Sequence, residues 1–227
     1  REIFAAYHGQ RLPAAVPYRR FVTWLADRDD AAAQEAWKHA LRGFENPTLI
    51  GTPGRSGPGP RRATLLRVPA TTTRALNELA RSCHTTVNIV LQGAFSQLLS
   101  CLTGHHDVAF GTTVSGRPAE VAGADSLVGL LINTVPVRAT LTPATTAADL
   151  LSQLHGAHND TIEHQHLALS EIHRITGHDI LFDTLFVYQN FPMDLATLSG
   201  AEGLDITEMS RHDYNHYPLT IQALPGP

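Results

Sequence analysis

The histidines are the side chains of this 227-residue sequence best suited to chemistry near neutral pH. There are 13 of them, and an imidazole can act as a general base or bind a metal ion. Three pairs have the spacing of metal ligands: His155 with His158, His164 with His166, and His212 with His216. A real site usually adds a carboxylate or thiolate at a matched spacing, and no sequence motif combines these histidine pairs into one set of ligands. A metal-binding module is therefore an alternative, and we predict no metal site.

An acyltransferase that relies on one of these histidines would need a nucleophile or an acid beside its base. The one adjacent pair is His105-His106, and Asp107 follows it directly. No Gly-x-Ser-x-Gly motif, which presents a serine nucleophile on a sharp turn, occurs in the chain. A self-sufficient acyltransferase that uses a histidine of this chain is therefore a second alternative.

Composition excludes several classes of function. The net charge of -4 gives no basic footprint for nucleic acid. No apolar run approaches the roughly 20 residues that a membrane span needs, and no signal peptide opens the chain. Two cysteines are too few for a disulfide framework. We therefore predict a cytoplasmic globular protein with no nucleic-acid partner and no membrane partner.

A strand, a loop and a second strand form the region around which the chain is organised. Apolar residues alternate over 108–114, which is typical of a half-buried strand. Ser-Gly-Arg-Pro at 115–118 breaks that pattern. The nearly continuous apolar run 128–137 favours a strand buried on both faces. Inside this run, the polar Asn133 and Thr134 must find hydrogen-bond partners if they are buried.

Other elements are predicted from hydrophobic periodicity and capping residues. Residues 1–17 have little periodicity and are interpreted as a connecting arm. Helices are expected over 31–41, 71–82, 87–102, 147–162 and 168–175, and further strands over 63–68, 181–189, 204–208 and 217–223. The helix 87–102 has a threonine before it and Gly104 after it as start and stop signals. Because this helix leads into the strand 107–114, the pattern favours an α/β layered fold.

Residues 111–138 resemble the condensation domains of non-ribosomal peptide synthetases. The likeness is carried by Gly111, by Ser-Gly-Arg-Pro at 115–118, and by Val-Gly-Leu-Leu-Ile-Asn-Thr at 128–134 with Pro136 and Arg138. The family's pattern at the second strand is close to V-G-x-F-I-N-T-x-P-x-R. Leu131 stands where the family usually has phenylalanine. The whole string at this spacing is fairly specific.

Further matches run in family order over nearly the whole chain. The aromatic segment 18–24 is similar to the family's Y-x-D-F-x-x-W, with Arg20 in place of the aspartate. His164-Gln165 matches the start of H-Q-x-x-P-F-E, and the residues that follow depart from it. Residues 182–190 look like the strand F-D-T-L-V-x-x-x-N, and residues 213–219 resemble the final motif R-D-x-S-x-x-P-L.

The resemblance implies an α/β fold: a single chloramphenicol-acetyltransferase-like lobe, with a mixed sheet and helices packed on it. The family's catalytic signature, H-H-x-x-x-D-G, lies in the N-terminal half of the complete domain. His105-His106 lacks the Asp-Gly at the required spacing and stands where the family has ordinary polar residues. We therefore expect residues 18–227 to be the C-terminal lobe only. On this interpretation the catalytic N-terminal lobe is absent, the C-terminal end is truncated, and the fragment is inactive alone with no catalytic residue of its own.

In the complete domain, as the resemblance implies, two lobes enclose a tunnel. Donor and acceptor carrier domains bring phosphopantetheine thioesters to its two ends, and the acceptor amine attacks the donor thioester to form an amide. The expected partners are the N-terminal lobe, both carrier domains and a neighbouring adenylation domain, and no cofactor is bound directly. A non-catalytic module that docks carrier domains is the third alternative.

The residues expected to line this tunnel are those that match the family's motifs. They are Ser115, Gly116, Arg117, Gly129, Asn133, His164, Gln165 and Asn215. Two interpretations of Asn133 stay open. Its amide orients backbone or substrate at the tunnel, or it is a buried group that ties strands together.

Overall fold

The computed structural model describes residues 2–7, 9–12, 14–51, 62–189, 199–201, 204–205 and 215–225. The helices are α1 (Glu2–Tyr7), α2 (Arg19–Ala26), α3 (Asp30–Ala40), α4 (Ala70–Ser82), α5 (Val87–Thr103), α6 (Ala147–Thr161) and α7 (Leu169–Thr176). The strands are β1 (Asp107–Val114), β2 (Asn133–Thr140), β3 (Thr184–Tyr188), β4 (Ser199–Ala201), β5 (Leu204–Asp205) and β6 (Leu219–Ala223). None of the helices in these ranges is long and apolar enough to cross a membrane.

A four-stranded mixed sheet in the order β2-β1-β3-β6 organises the chain. β1 pairs with β2 in antiparallel fashion, so that Phe110 lies opposite Val137. The pairs β1–β3 and β3–β6 are parallel. β4 and β5 form a separate two-stranded sheet. The predicted α/β class with a mixed sheet is confirmed.

Helices pack on both faces of this sheet, because successive side chains of a strand point to opposite faces. Val108 and Phe110 belong to a core cluster with residues of α5 and α6. Ala109 belongs to a second cluster, which contains Trp37 of α3 and Ile172 of α7. The sheet therefore lies between α5–α6 and α3–α7.

The α5 prediction is confirmed at both ends. The Thr86 hydroxyl accepts a hydrogen bond from the Ile89 amide at 3.3 Å, which satisfies one of the free donors of the first turn. Gly104 ends the helix in the left-handed conformation with φ 73°, where glycine carries no penalty. Phe95 then packs edge-on against Phe110, with ring centroids 4.9 Å apart. Two capping residues and one aromatic contact thus fix the helix against the central strand.

The second strand of the organising region begins later than its apolar run suggests. β2 begins at Asn133, so the strand predicted for 128–132 is wrong. Val128 and Leu130 are 77% and 80% exposed. The Tyr18 hydroxyl donates to the carbonyl of Leu130. Residues 128–132 are therefore held by Tyr18 and not by a neighbouring strand.

Two other predictions also need correction. Residues 62–69 include the predicted strand 63–68 but carry no strand pairing, and Leu65 and Leu66 are exposed. The predicted arm contains the short helix α1, and α2 forms over the aromatic segment that follows. The spacing of apolar residues over so short a stretch does not distinguish a strand or a short helix from a loop.

Candidate functional site

Asn133 uses its side chain to hold a neighbouring loop. Its amide nitrogen donates to the carbonyl oxygens of Gln165 and Leu167, at 2.8 Å each. Its amide oxygen accepts from the backbone N–H of Thr134 at 2.9 Å. Both donors and the acceptor of the amide are therefore engaged within the chain, and two carbonyls of one loop depend on a single side chain.

A second side chain, on helix α3, holds the same loop. The Trp37 indole nitrogen on α3 donates to the carbonyl of His164 at 2.9 Å. We call residues 164–167 with these three hydrogen bonds the clamped loop. The side chains of His164 and Gln165 are half-buried. His164 and Gln165 follow Asn133 by more than 30 residues in the sequence. The hydrogen bonds to the loop carbonyls nevertheless hold all three residues in one region of the fold.

The loop 115–117 approaches the segment before β2 closely. Gly116 has φ 58°, and a Cβ at this position would overlap the carbonyl oxygen of Leu131. The Arg117 guanidinium donates to the carbonyl of Ala124 and, at 3.1 Å, to that of Leu127. Arg117 therefore closes the loop between the two strands onto itself. No side chain other than hydrogen fits at Gly116 without displacing backbone.

Gly129 and Asn215 have local roles in the described structure. A Cβ at Gly129 would overlap the Tyr18 ring, so this glycine allows the Tyr18 ring to lie against the backbone. The Asn215 side chain accepts from the Tyr217 amide and the Thr220 hydroxyl, both at 3.0 Å. These bonds shape the turn before β6. Asp213 and Arg211 of the same predicted motif lie outside the described residues.

A cavity of about 300 Å³ lies between α3, α5, α6 and the β1–β2 pair. We call it the α5–α6 cavity. Gln165 of the clamped loop lines it, together with Asn88, Gln92 and His158. Sequence reasoning missed Asn88 and Gln92 as site residues. The signal was present, because two amides four residues apart lie on the same face of a helix that is otherwise apolar there.

The alternatives based on histidine gain little from the described part of the chain. Asp107 pairs with Arg138 at 2.9 and 2.8 Å and not with the preceding histidines. The Thr85 hydroxyl lies 3.2 Å from Nδ1 of His155, but no described carboxylate contacts that ring to orient it. Within the described ranges, no three histidine, cysteine or acidic side chains are grouped as a metal would require. His212 lies outside those ranges.

Burial lowers the pKa of three histidines below the ordinary 6.5. They are His158, His166 and His173, and neighbouring positive or ionisable groups add to the effect. For His166, burial lowers the pKa even though the hydrogen bond to the Glu163 carbonyl and the nearby Asp30 oppose the shift. Nδ1 of His166 lies 3.1 Å from the Glu163 carbonyl, so Nδ1 carries the hydrogen of the neutral ring. Its Nε2 is buried without a partner among the described residues, and a second proton there would be poorly solvated.

We expect the melting temperature to fall as the pH falls from 7.5 to 5. The unfolded chain takes up protons near pH 6.5, whereas the lowered pKa values delay uptake by the folded chain. The unfolded state therefore binds more protons below that pH, and the free energy of unfolding decreases. Carboxylates titrate near pH 4 and contribute little in this window.

Thermal melts of wild type, His166→Gln and His39→Gln over this range would check the prediction. His39 is exposed on α3 and serves as the control. His166→Gln should flatten the decline, and His39→Gln should leave it unchanged. A melting temperature that rises or stays constant between pH 7.5 and 5 would contradict the expectation.

Comparison with known proteins gives a consistent result. A family model described as "Condensation domain" matches residues 1–226. The chain is 35% identical over 237 residues to a chondramide synthase of Chondromyces crocatus, covering 100% of this chain and 6% of the relative. It is 33% identical over 237 residues to surfactin synthase subunit 3 of Bacillus subtilis (strain 168), covering 100% of this chain and 18% of that protein. The chain thus spans less than a fifth of either relative.

Solved structures support the same fold. The first condensation domain of the CDA synthetase superposes with a TM-score of 0.66 at 21% identity, covering 84% of this chain and 43% of that chain. The X-domain from teicoplanin biosynthesis gives 0.66 at 18% identity, with 81% and 45% covered. At such identities the likeness concerns the fold, and this chain spans under half of each structure. The family model, which matches almost every residue, establishes membership of the family. It confirms the predicted resemblance: this chain belongs to the condensation-domain family.

Proposed function

We propose that this chain is the C-terminal lobe of a condensation domain of a non-ribosomal peptide synthetase, and that it forms one wall of the tunnel in which an amide bond is made. The clamped loop carries the proposal. Asn133 at the beginning of β2 holds the carbonyls of Gln165 and Leu167, and Trp37 holds the carbonyl of His164. Val128 and Leu130, which are both exposed, lie shortly before β2. They provide an apolar surface for the second lobe. The proposed location is the cytoplasm.

The reaction is the transfer of an acyl or peptidyl group from sulfur to nitrogen. The acceptor amine, held as an aminoacyl thioester on its carrier domain, attacks the donor thioester carbonyl. A carbon–nitrogen bond forms, the carbon–sulfur bond breaks, and the amine's proton finally resides on the released thiol. The phosphopantetheine arms belong to the carriers and enter as parts of the substrates. A general base of the N-terminal lobe would accept the amine proton.

The contribution of this chain is position and not proton transfer. Bringing two thioester-bound substrates into reacting distance can account for much of the acceleration of a two-substrate reaction. His164 and Gln165 sit on a loop whose carbonyls are fixed by Trp37 and Asn133. A wall that is held in this way keeps its shape while carriers exchange. The residues proposed to face the substrates are Ser115, Gly116, Arg117, Gly129, Asn133, His164, Gln165 and Asn215.

We expect the isolated chain to form no dipeptidyl thioester, because it lacks H-H-x-x-x-D-G. Donor and acceptor carrier thioesters would be incubated with the chain alone, with no protein, and with the chain joined to an N-terminal lobe of the family that carries the motif. Product would be followed by mass spectrometry. Turnover is expected only in the joined protein. Product from the chain alone would favour the self-sufficient acyltransferase. A folded joined protein that binds carriers without turnover would favour the docking module.

A further inference from the structure

The α5–α6 cavity has the size and the lining of a small-molecule site. Its volume of about 300 Å³ is at the lower end of the range for ligand pockets, and one water molecule accounts for about 30 Å³ of liquid. Apolar side chains form much of its wall, among them Leu41, Val114, Val137 and Leu154. A few polar groups interrupt this surface, which is the usual composition of a selective pocket.

The polar groups of the cavity have unused hydrogen-bonding capacity. Gln92 is only 4% exposed, and its amide nitrogen donates to the Asn88 side-chain oxygen at 3.3 Å. Among the described residues, nothing donates to the Gln92 oxygen, and nothing accepts from the Asn88 amide nitrogen. The Gln165 side chain likewise has no partner there. These atoms are not among the fully buried polar atoms that lack a partner in the described structure, so they remain accessible in the cavity and are suited to bind a ligand.

The cavity is electrically neutral at pH 7. Arg138 lines it, but its guanidinium is paired with Asp107 and also donates to the carbonyl of Arg42. Burial, with the neighbouring His155, lowers the pKa of His158, so this ring is uncharged near neutrality. A charged ligand would lose its hydration without gaining an unpaired counter-charge. A neutral ligand meets no such cost.

We propose that the α5–α6 cavity binds a small neutral molecule that carries an amide group beside a short apolar group. The ligand's N–H would donate to the Gln92 oxygen, and its carbonyl would accept from the Asn88 amide nitrogen. These two side chains project from one helix at a spacing of four residues, on the same face. The ligand's apolar group would lie against Val137 and Leu154. The cavity shares Gln165 with the residues proposed above to face the substrates, but its two ligand-binding amides belong to α5, and their binding of a free ligand does not require amide formation.

The test uses the 227-residue chain and two matched probes. N-acetylvalinamide is neutral, and N-acetylvaline differs in having a carboxylate. Each would be titrated at pH 7.5, with binding followed by calorimetry and by amide NMR shifts. We expect saturable, one-to-one binding of N-acetylvalinamide and at least 10-fold weaker binding of N-acetylvaline. Equal binding of the two, or no saturable binding of either, would overturn the proposal.

Three variants locate the binding. Ala157→Leu fills the cavity from α6, because Ala157 lines it. Gln92→Leu removes the buried amide at similar size. Ala148→Leu is the control, since Ala148 is exposed on the same helix. The first two should weaken binding at least 10-fold, and the control should leave it unchanged.

Circular dichroism and melting would establish that each variant is folded. If Gln92→Leu does not fold, Ala157→Leu alone decides the outcome, because it adds apolar volume to an existing space. Unchanged binding by folded Ala157→Leu would place the probe elsewhere and sink the proposal. The assay contains no carrier domain and no thioester, so its failure is separate from a failure of the condensation reaction.

Discussion

Replacing Gly116 with alanine is expected to destabilise the chain by roughly 2–5 kcal/mol. The backbone at Gly116 has φ 58°, and the new Cβ would overlap the carbonyl oxygen of Leu131. The left-handed conformation accounts for about 1–2 kcal/mol of this loss, and displacement of the neighbouring backbone accounts for the rest. For a chain of this size, the melting temperature should fall by roughly 4–20 °C.

Gly156→Ala is the matched control for this substitution. Gly156 lies inside α6, and a Cβ there would meet no atom within 4 Å. Alanine in a helix interior is better than glycine by about 0.5–1 kcal/mol, so this variant should melt slightly higher than wild type. If Gly116→Ala melted within 1 °C of wild type, the loop 115–117 could not approach Leu131 as described.

Asn133→Ala is expected to lose roughly 2–4 kcal/mol, because the carbonyls of Gln165 and Leu167 would lose their common donor. Asn133→Asp should cost more, since it places a negative charge against the same two oxygens. Asn159→Ala, at an exposed position of α6, is the control and should have little effect on melting. Thermal melts of the three variants would measure the difference.

The same variants distinguish positioning from stability when the chain is part of a complete, active domain. If the clamped loop shapes the tunnel, Asn133→Ala should reduce turnover by more than its melting loss explains, at a temperature where the protein stays folded. Turnover in proportion to the folded fraction would leave Asn133 with a structural role only. Unchanged melting would contradict the hydrogen bonds of the clamp.

The elements that could be predicted are those with local signals. Thr86 and Gly104 delimit α5 because a hydroxyl cap and a left-handed glycine act within a few residues of the helix. Asp29 likewise caps α3, accepting from the Ala32 amide at 3.0 Å. The apolar run 128–137 failed as a strand boundary because its first half is held by Tyr18, which lies more than a hundred residues earlier.

The family resemblance named candidate site residues, but it did not predict their geometry. The family resemblance identified Asn133 and Gln165, but no pattern shows that the amide of one donates to the carbonyl of the other. Contacts to backbone carry no side-chain signature in a single sequence. Trp37 lies on the buried face of α3, and its indole hydrogen bond to the clamped loop is a role that hydrophobic periodicity cannot reveal.

The order of strands has a consequence for biosynthesis. The central strand β1 is followed in the sequence by one of its partners, β2. Its other partner, β3, is synthesised later, and β6, which pairs with β3, is synthesised later still. The Thr112 hydroxyl bonds to the Phe186 carbonyl 74 residues later, and the Ile50 amide bonds to Asp183 133 residues later. Such distant pairings form slowly. Until residues 184–188 have been synthesised, β1 therefore has an unpaired edge, and this is the stage at which chaperones would matter most.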